Sequence, residues 1–228
     1  MSQLVLAVDT SGKNGSVALA RGVTGGIDRL DVARLDGGAF SAQLVPQIAL
    51  LLEKHKYTKS DLGALVVASG PGSFTGLRVG LAAIKALGEA LQKPIVAVSL
   101  LEVVACSSSA KGRVRAILDA GRGDVFVGDY EVGLEPIAGM QSERLLSSEQ
   151  LIAEVGTSHE VLVTSDALLA RKIRAAGLDV ELIEYPDSSM LAQVGWAHLQ
   201  RGDAVPPEEL EANYLRRSDA EIFSKPAR

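Results

Sequence analysis

Residues 4–21 read LVLAVDTSGKNGSVALAR, and the fold turns on this stretch. A nearly unbroken apolar run ends at Asp9, polar turn chemistry follows, and a second apolar run begins at Ser16, which predicts two strands around a tight turn. Residues 115–131, RAILDAGRGDVFVGDYE, repeat the arrangement, and Asp119 lies 110 positions after Asp9. After the first copy, the pattern predicts a third strand at 28–35 and a helix at 41–56. That helix carries Leu44, Ile48, Leu51 and Leu52 on one face, with Ser41 as its cap and a bend or later start at Pro46. Strands at 64–69 and 94–99 and a helix at 100–107 follow. Residues 107–113 read as a linker, and 159–173 repeat the strand, turn and helix of the first half. This is a half-chain duplication rather than a short solenoid repeat. It predicts an α/β protein with mixed sheets flanked by helices, divided at 1–108 and 109–228.

Composition narrows the function. The 228 residues are 47% hydrophobic, enough for one large core or two modest ones. Lys and Arg number 23 against 28 Asp and Glu, a net charge of −5, so no overall basic field draws in nucleic acid or an anionic membrane. Arg216, Arg217, Lys225 and Arg228 offer at most a supplementary RNA contact. The first residues lack a basic region and their apolar run breaks at Asp9, which argues against a signal peptide. No apolar stretch is long enough to span a bilayer. The single Cys106 has no disulfide partner within the chain and follows an apolar VVA, as a packed thiol does, so a cytoplasmic setting is expected. His55, His159 and His198 are far apart in the sequence, and no metal site is predicted.

Residues 68–91, ASGPGSFTGLRVGLAAIKALGEAL, open like a phosphate loop. Gly76 is followed by Leu77 and Arg78 where a Walker loop needs Lys and Ser or Thr. Gly70, Gly72 and Gly76 also miss the dinucleotide spacing. Either the helix start is a generic anion site, or Gly70, Pro71 and Gly72 make a turn that Ser73 or Thr75 caps. Along the helix, Arg78, Lys85, Glu89 and Gln92 collapse into one stripe about 60° wide, and nearly everything else is apolar or glycine. A second surface must cover such a helix. Ala82, Ala86 and Ala90 form a row of small side chains suited to close helix packing, and Ala49 and Leu50 extend the apolar surface on the earlier helix.

The paired hairpins with an Asp at each tip resemble the actin, sugar kinase and Hsp70 superfamily, built from two ribonuclease H-like lobes that hold ATP between them. The second lobe here looks reduced: its turn at Thr164, Ser165 and Asp166 lacks the glycines that let backbone approach adenosine. Asp9 either caps its own turn or, with Thr10, Ser11 and Asp119, faces magnesium and phosphate. The latter would make a small kinase or ATPase.

The motif Gly70, Pro71, Gly72, Ser73, Phe74, Thr75, Gly76, Leu77, Arg78, with the opening hairpin, its later copy and the late ANYLRR, is similar to the TsaB (YeaZ) family. That resemblance implies a noncatalytic subunit in threonylcarbamoyladenosine biosynthesis, paired with the metal-bearing paralogue TsaD and joined by the ATPase TsaE. It implies that tRNA is met through the complex, that the chain alone can form a homodimer, and that it has no cofactor of its own, with ATP or ADP at the subunit boundary left open. The expected partner interface comprises Leu44, Ile48, Leu51, Gly76, Leu77, Val79, Gly80, Ala82, Ala83, Ala86, Leu87 and Ala90. The His that the family often carries before the first helix is replaced by Phe40, and the resemblance implies a C-terminal end of 109–228 that packs back on the first lobe.

Overall fold

The opening hairpin forms as its sequence dictates. β1 (Gln3–Asp9) pairs antiparallel with β2 (Gly15–Val23), placing Asp9 opposite Ser16. The computed structural model describes residues 3–36, 38–155 and 160–216. β3 (Gly26–Leu35) continues the antiparallel meander, while β4 (Leu62–Gly70) and β5 (Ile95–Ser99) add in parallel on the other side of β1. The sheet order is β3-β2-β1-β4-β5. Helices α1 (Phe40–Lys54), α2 (Phe74–Leu91) and α3 (Leu100–Cys106) fill the connections.

The second half repeats this plan strand for strand. β6 (Gly112–Gly121), β7 (Asp124–Val132) and β8 (Ala138–Ser147) form the antiparallel meander. β9 (Val161–Thr164) and β10 (Glu181–Leu182) add in parallel, giving the order β10-β9-β6-β7-β8. α4 (Ser148–Val155) and α5 (Ala167–Ala175) are short, and the two closing strands have only 4 and 2 residues, so this lobe is the reduced one. The final helix, α6 (Ser188–Arg201), crosses to the first sheet and lies on β1 to β5.

The layers follow from strand alternation. One face of the first sheet, through Leu4, Leu6, Val8, Leu65 and Val67, packs on α1 and α2. Its other face joins α3, α6 and the near face of the second sheet in one continuous core, with Val66, Val98, Leu101, Val114 and Trp196. The far face of the second sheet packs on α4 and α5 through Ile117, Val127, Leu151 and Ile173. A core shared by both sheets fixes the two lobes on each other, because α3 is buried against both sheets and α6 packs on the first sheet and on α3.

Two local expectations fail. Ser41 does not cap α1: the helix starts at Phe40, the capping position is Ala39, and no side chain bonds the first turn. Nor does Pro46 delay the helix, which runs through it. The hydrogen bond that Pro46 lacks leaves the carbonyl of exposed Ala42 to solvent, where the loss is cheap. Residues 107–113 are only partly a linker, since β6 already starts at Gly112.

A buried ion pair ties α6 to α3. His198 Nε2 lies 3.0 Å from both oxygens of Glu102 and its Nδ1 lies 2.8 Å from Asp203, while Glu102 also accepts from the Ala138 amide at 3.2 Å. Burial opposes charge on His198, but the Glu102 and Asp203 carboxylates outweigh it and raise its pKa above the ordinary histidine value. A raised folded pKa stabilises the fold fully below about pH 6.5 and progressively less as pH rises through the folded value. His198→Gln should therefore lose more stability in urea denaturation at pH 6 than at pH 9; an equal loss at both would assign His198 to packing alone.

Candidate functional site

The glycine-rich segment packs against the opening hairpin. Ser73 caps α2, its Oγ accepting from the Gly76 amide at 3.3 Å, while its own amide donates to the Ser11 carbonyl at 2.7 Å. The turn after β1 lies against the first two turns of α2. A Cβ on Gly72 would come within 2.5 Å of the Ser11 carbonyl oxygen, one on Gly76 within 2.0 Å of the Thr10 carbonyl oxygen, and one on Gly80 within 2.5 Å of Thr10 Oγ1. Thr10 Oγ1 donates to the Gly76 carbonyl at 2.7 Å. The glycines therefore serve backbone-to-backbone packing, and the turn occupies the space over them. Of the two readings of this loop, the turn with a Ser73 cap is the one formed.

The aspartates part company. Asp9 is buried, and its Oδ1 accepts from the Ser11 amide at 2.8 Å and the Ser11 hydroxyl at 2.5 Å. Its Oδ2 accepts from the Tyr185 hydroxyl at 3.1 Å. Burial raises the Asp9 pKa against the opposing pull of these bonds. Asp119 is exposed and accepts from the Gly121 amide at 3.2 Å, capping its own turn. Both aspartates thus cap the turns that follow them, and Tyr185, which sequence reading missed, closes over the first. Thr10 and Ser11 are buried with their hydroxyls spent inside the chain.

The expected interface residues divide into two sets. Leu44, Ile48, Leu51, Gly76, Leu77 and Gly80 are buried within this chain's own core. They belong to the face with which α1 and α2 grip the sheet, and Leu44 also lines the groove between the two helices. Ala82, Ala86 and Ala90 are exposed, and Val79, Ala83 and Leu87 are half-buried between the two helices. Of the motif residues, Pro71 and Gly70 are buried, while Phe74, Thr75 and Arg78 reach the surface. The outward face of α1 adds Ala42, Val45, Pro46, Ala49 and Leu50, with Val45 63% and Leu50 55% exposed. Between the helices runs an open groove of about 480 Å³, lined by Leu44, Val45, Phe74, Arg78, Val79 and Ala82 among others. The spacing of Ala42, Val45, Pro46 and Ala49 at helical intervals was the available signal for this second apolar stripe.

The polar stripe of α2 is met by the chain's own C-terminal segment. Arg78 Nε donates to the Tyr214 hydroxyl at 3.2 Å and Lys85 to the Glu208 carbonyl at 3.4 Å. The chain's own C-terminal segment therefore takes part of the covering that a partner was expected to supply. Phe40 fills the hairpin side of α1, its ring within 2.9 Å of where a Gly15 Cβ would be. Cys106 is a packed thiol, pushed up to about 12 by burial and the Glu102 charge. His55 pairs with Asp31 at 2.9 Å, and His159, Arg217, Lys225 and Arg228 lie outside the described residues. Among the described residues no group of three or more His, Cys, Asp or Glu could hold a metal, and no helix is long and apolar enough to cross a membrane.

Two five-stranded sheets of like order, each opening on an Asp-tipped hairpin and sharing a central helical layer, define a two-lobed ribonuclease H-like protein of the actin, sugar kinase and Hsp70 superfamily. A Pseudomonas aeruginosa structure, described as an uncharacterized protein similar to the peptidase YeaZ, matches 94% of the chain and 100% of its own at TM-score 0.77 and 26% identity. Residues 37–186 match the model of the family TsaD, tRNA N6-adenosine threonylcarbamoyltransferase. The chain belongs to this family, in its TsaB (YeaZ) branch. The Bacillus subtilis tRNA threonylcarbamoyladenosine biosynthesis protein TsaB is 36% identical over 56% of the chain, a match spanning 55% of that protein. An uncharacterized Mycobacterium tuberculosis protein is 28% identical over 95% of the chain and 93% of its own length.

The close approach of Thr10 to Gly76 carries a measurable cost if filled. Gly76→Ala should destabilise the fold by about 3 kcal/mol in urea denaturation, since a backbone oxygen must move. Ala83→Gly, on the same helix but without such a neighbour, should cost about 1 kcal/mol.

Proposed function

We propose that this chain is a noncatalytic subunit of the machinery that makes threonylcarbamoyladenosine in tRNA, and that it acts by docking the outward face of α1 and α2 on a TsaD partner. The observation that carries this reading is the pair of apolar stripes, Ala42, Val45, Pro46 and Ala49 on α1 and Ala82, Ala86 and Ala90 on α2, flanking an open groove. Adjacent apolar stripes of this extent on a protein surface mark an interaction site, and small side chains let a second helix pair approach closely. The family membership supplies the partner's class: threonylcarbamoyl transfer to N6 of an adenosine requires a catalytic paralogue, and this chain supplies the docking half. TsaE joins that assembly, tRNA is met through it, and the same face serves a homodimer when the partner is absent.

The competing reading, a small kinase or ATPase using Asp9 and Asp119, is disfavoured by the bonding of Asp9. Both its oxygens and both neighbouring hydroxyls are engaged inside the chain, so magnesium would have to displace internal partners before binding.

Ala86→Arg should abolish the 1:1 complex with TsaD in light scattering behind size exclusion while leaving the melting temperature within a few degrees. Persistence of the complex would place the interface elsewhere. Calorimetric titration of the chain alone with Mg-ATP should give no binding heat; micromolar binding lost in Asp9→Asn would restore the kinase reading.

A further inference from the structure

The C-terminal segment is bound too specifically to be a trailing end. Val205 pairs with Ile95 at the free edge of β5, its amide donating to the Ile95 carbonyl at 2.8 Å. A short 3₁₀ turn, Pro207–Glu209, then runs along α2, and Leu210 is buried in the core beneath α1 and α2. At Asn213 the segment reaches the junction of the lobes. The Asn213 amide donates to the Ser69 carbonyl at 2.7 Å, and its side chain donates to Glu143 Oε2 of β8 at 2.5 Å. Glu143 also accepts from Ser99 at the end of β5 and from the buried Tyr130 of β7. Three residues on, Arg216 pairs with Asp124 at 2.6 Å at the turn of the second hairpin.

Between these fastenings stands Tyr214. Its ring lies 4.9 Å from that of Phe74, its hydroxyl accepts from Arg78 at 3.2 Å, and the Arg78 guanidinium lies 3.7 Å over the Phe74 ring. Phe74 and Arg78 line the groove between α1 and α2. An exposed arginine and a part-exposed phenylalanine have many rotamers to lose on docking, and a stack that fixes them beforehand reduces that loss.

We infer that residues 203–216 form a positioning strap for the α1/α2 face: Tyr214 holds the Phe74 and Arg78 wall of the groove in the arrangement a partner meets, and the second lobe holds Tyr214 through Asn213 with Glu143 and Arg216 with Asp124. The inference rests on the docking reading above and adds a determinant that lies on neither helix. Tyr214 is a positioning residue, acting through Phe74 and Arg78.

The test combines hydrogen exchange on the chain alone with affinity for TsaD, in Tyr214→Ala, Tyr214→Phe and Glu143→Gln. Tyr214→Ala should speed exchange in 73–80 and 205–216 while β1 and β4 stay protected, and should weaken the complex about tenfold, mainly through faster dissociation. Tyr214→Phe keeps the ring stack and should stay within about threefold of wild type. Glu143→Gln places a donor opposite the Asn213 amide group and should loosen 210–216 without touching either helix. Unchanged exchange around α2 in Tyr214→Ala overturns the strap, as does faster exchange with unchanged affinity. Loss of the complex in Ala86→Arg with none in Tyr214→Ala sinks the strap alone. A complex that survives Ala86→Arg overturns the docking reading and the partner half of this inference with it, leaving exchange to decide the strap's hold on Phe74 and Arg78.

Discussion

The contact of the Asp9–Ser11 turn with the first turns of α2 sets the frame for the rest of the molecule. α2 meets the turn there without side chains of its own in between, because any Cβ at Gly72, Gly76 or Gly80 would fall inside contact distance of Thr10 or Ser11. The turn thereby fixes both the height and the rotation of α2 on the first sheet. With that rotation fixed, Leu77, Leu81 and Ile84 point into the core, Arg78 and Lys85 meet the C-terminal segment, and the Ala82, Ala86, Ala90 row is left outward. One steric constraint therefore selects which third of an almost wholly apolar helix is buried and which is left on the surface.

Much of this was legible in the sequence, for definable reasons. Strand ends marked by Asp9 and Asp119 and the repeated order of elements gave the two-lobed plan, since period-2 burial and turn chemistry are local signals. The row of alanines was legible because helical spacing is also local. What was not legible depends on contacts distant in the chain. Tyr185 reaches Asp9 across 176 positions and Arg78 reaches Tyr214 across 136, and no local pattern announces either. Apolar periodicity shows that a face such as that of Leu44 and Leu77 is buried without showing what buries it, and here the chain's own first sheet does so. The missing cap at Ser41 is a smaller case: cap chemistry was present one residue inside the helix rather than before it.

The duplication has been unevenly kept. Both meanders survive nearly intact, whereas the parallel strands and helices of the second half are short. The second sheet compensates with polar interactions on its far side, where Arg115, 6% exposed, pairs with Asp129 at 2.5 Å and Glu160 at 2.8 Å, and Arg144 shares Asp129. Buried ion pairs of this kind contribute modestly to stability while penalising any strand slip that would separate them. A lobe with less apolar surface to bury can hold its register in this way.

The placement of α6 has a bearing on how the chain is made. Leu191, Val194 and Trp196, near the end of the sequence, cover the inner face of the first sheet, where Trp196 lies against Gly22 and donates to the Val23 carbonyl at 3.2 Å. Strands β1 to β5 are complete by residue 99, yet this apolar face stays open until the ninety or so residues of the second half have been synthesised. During translation the first lobe is thus a sheet with one finished side. Its outer helices α1 and α2 are in place early, while its inner face waits for α6 to arrive.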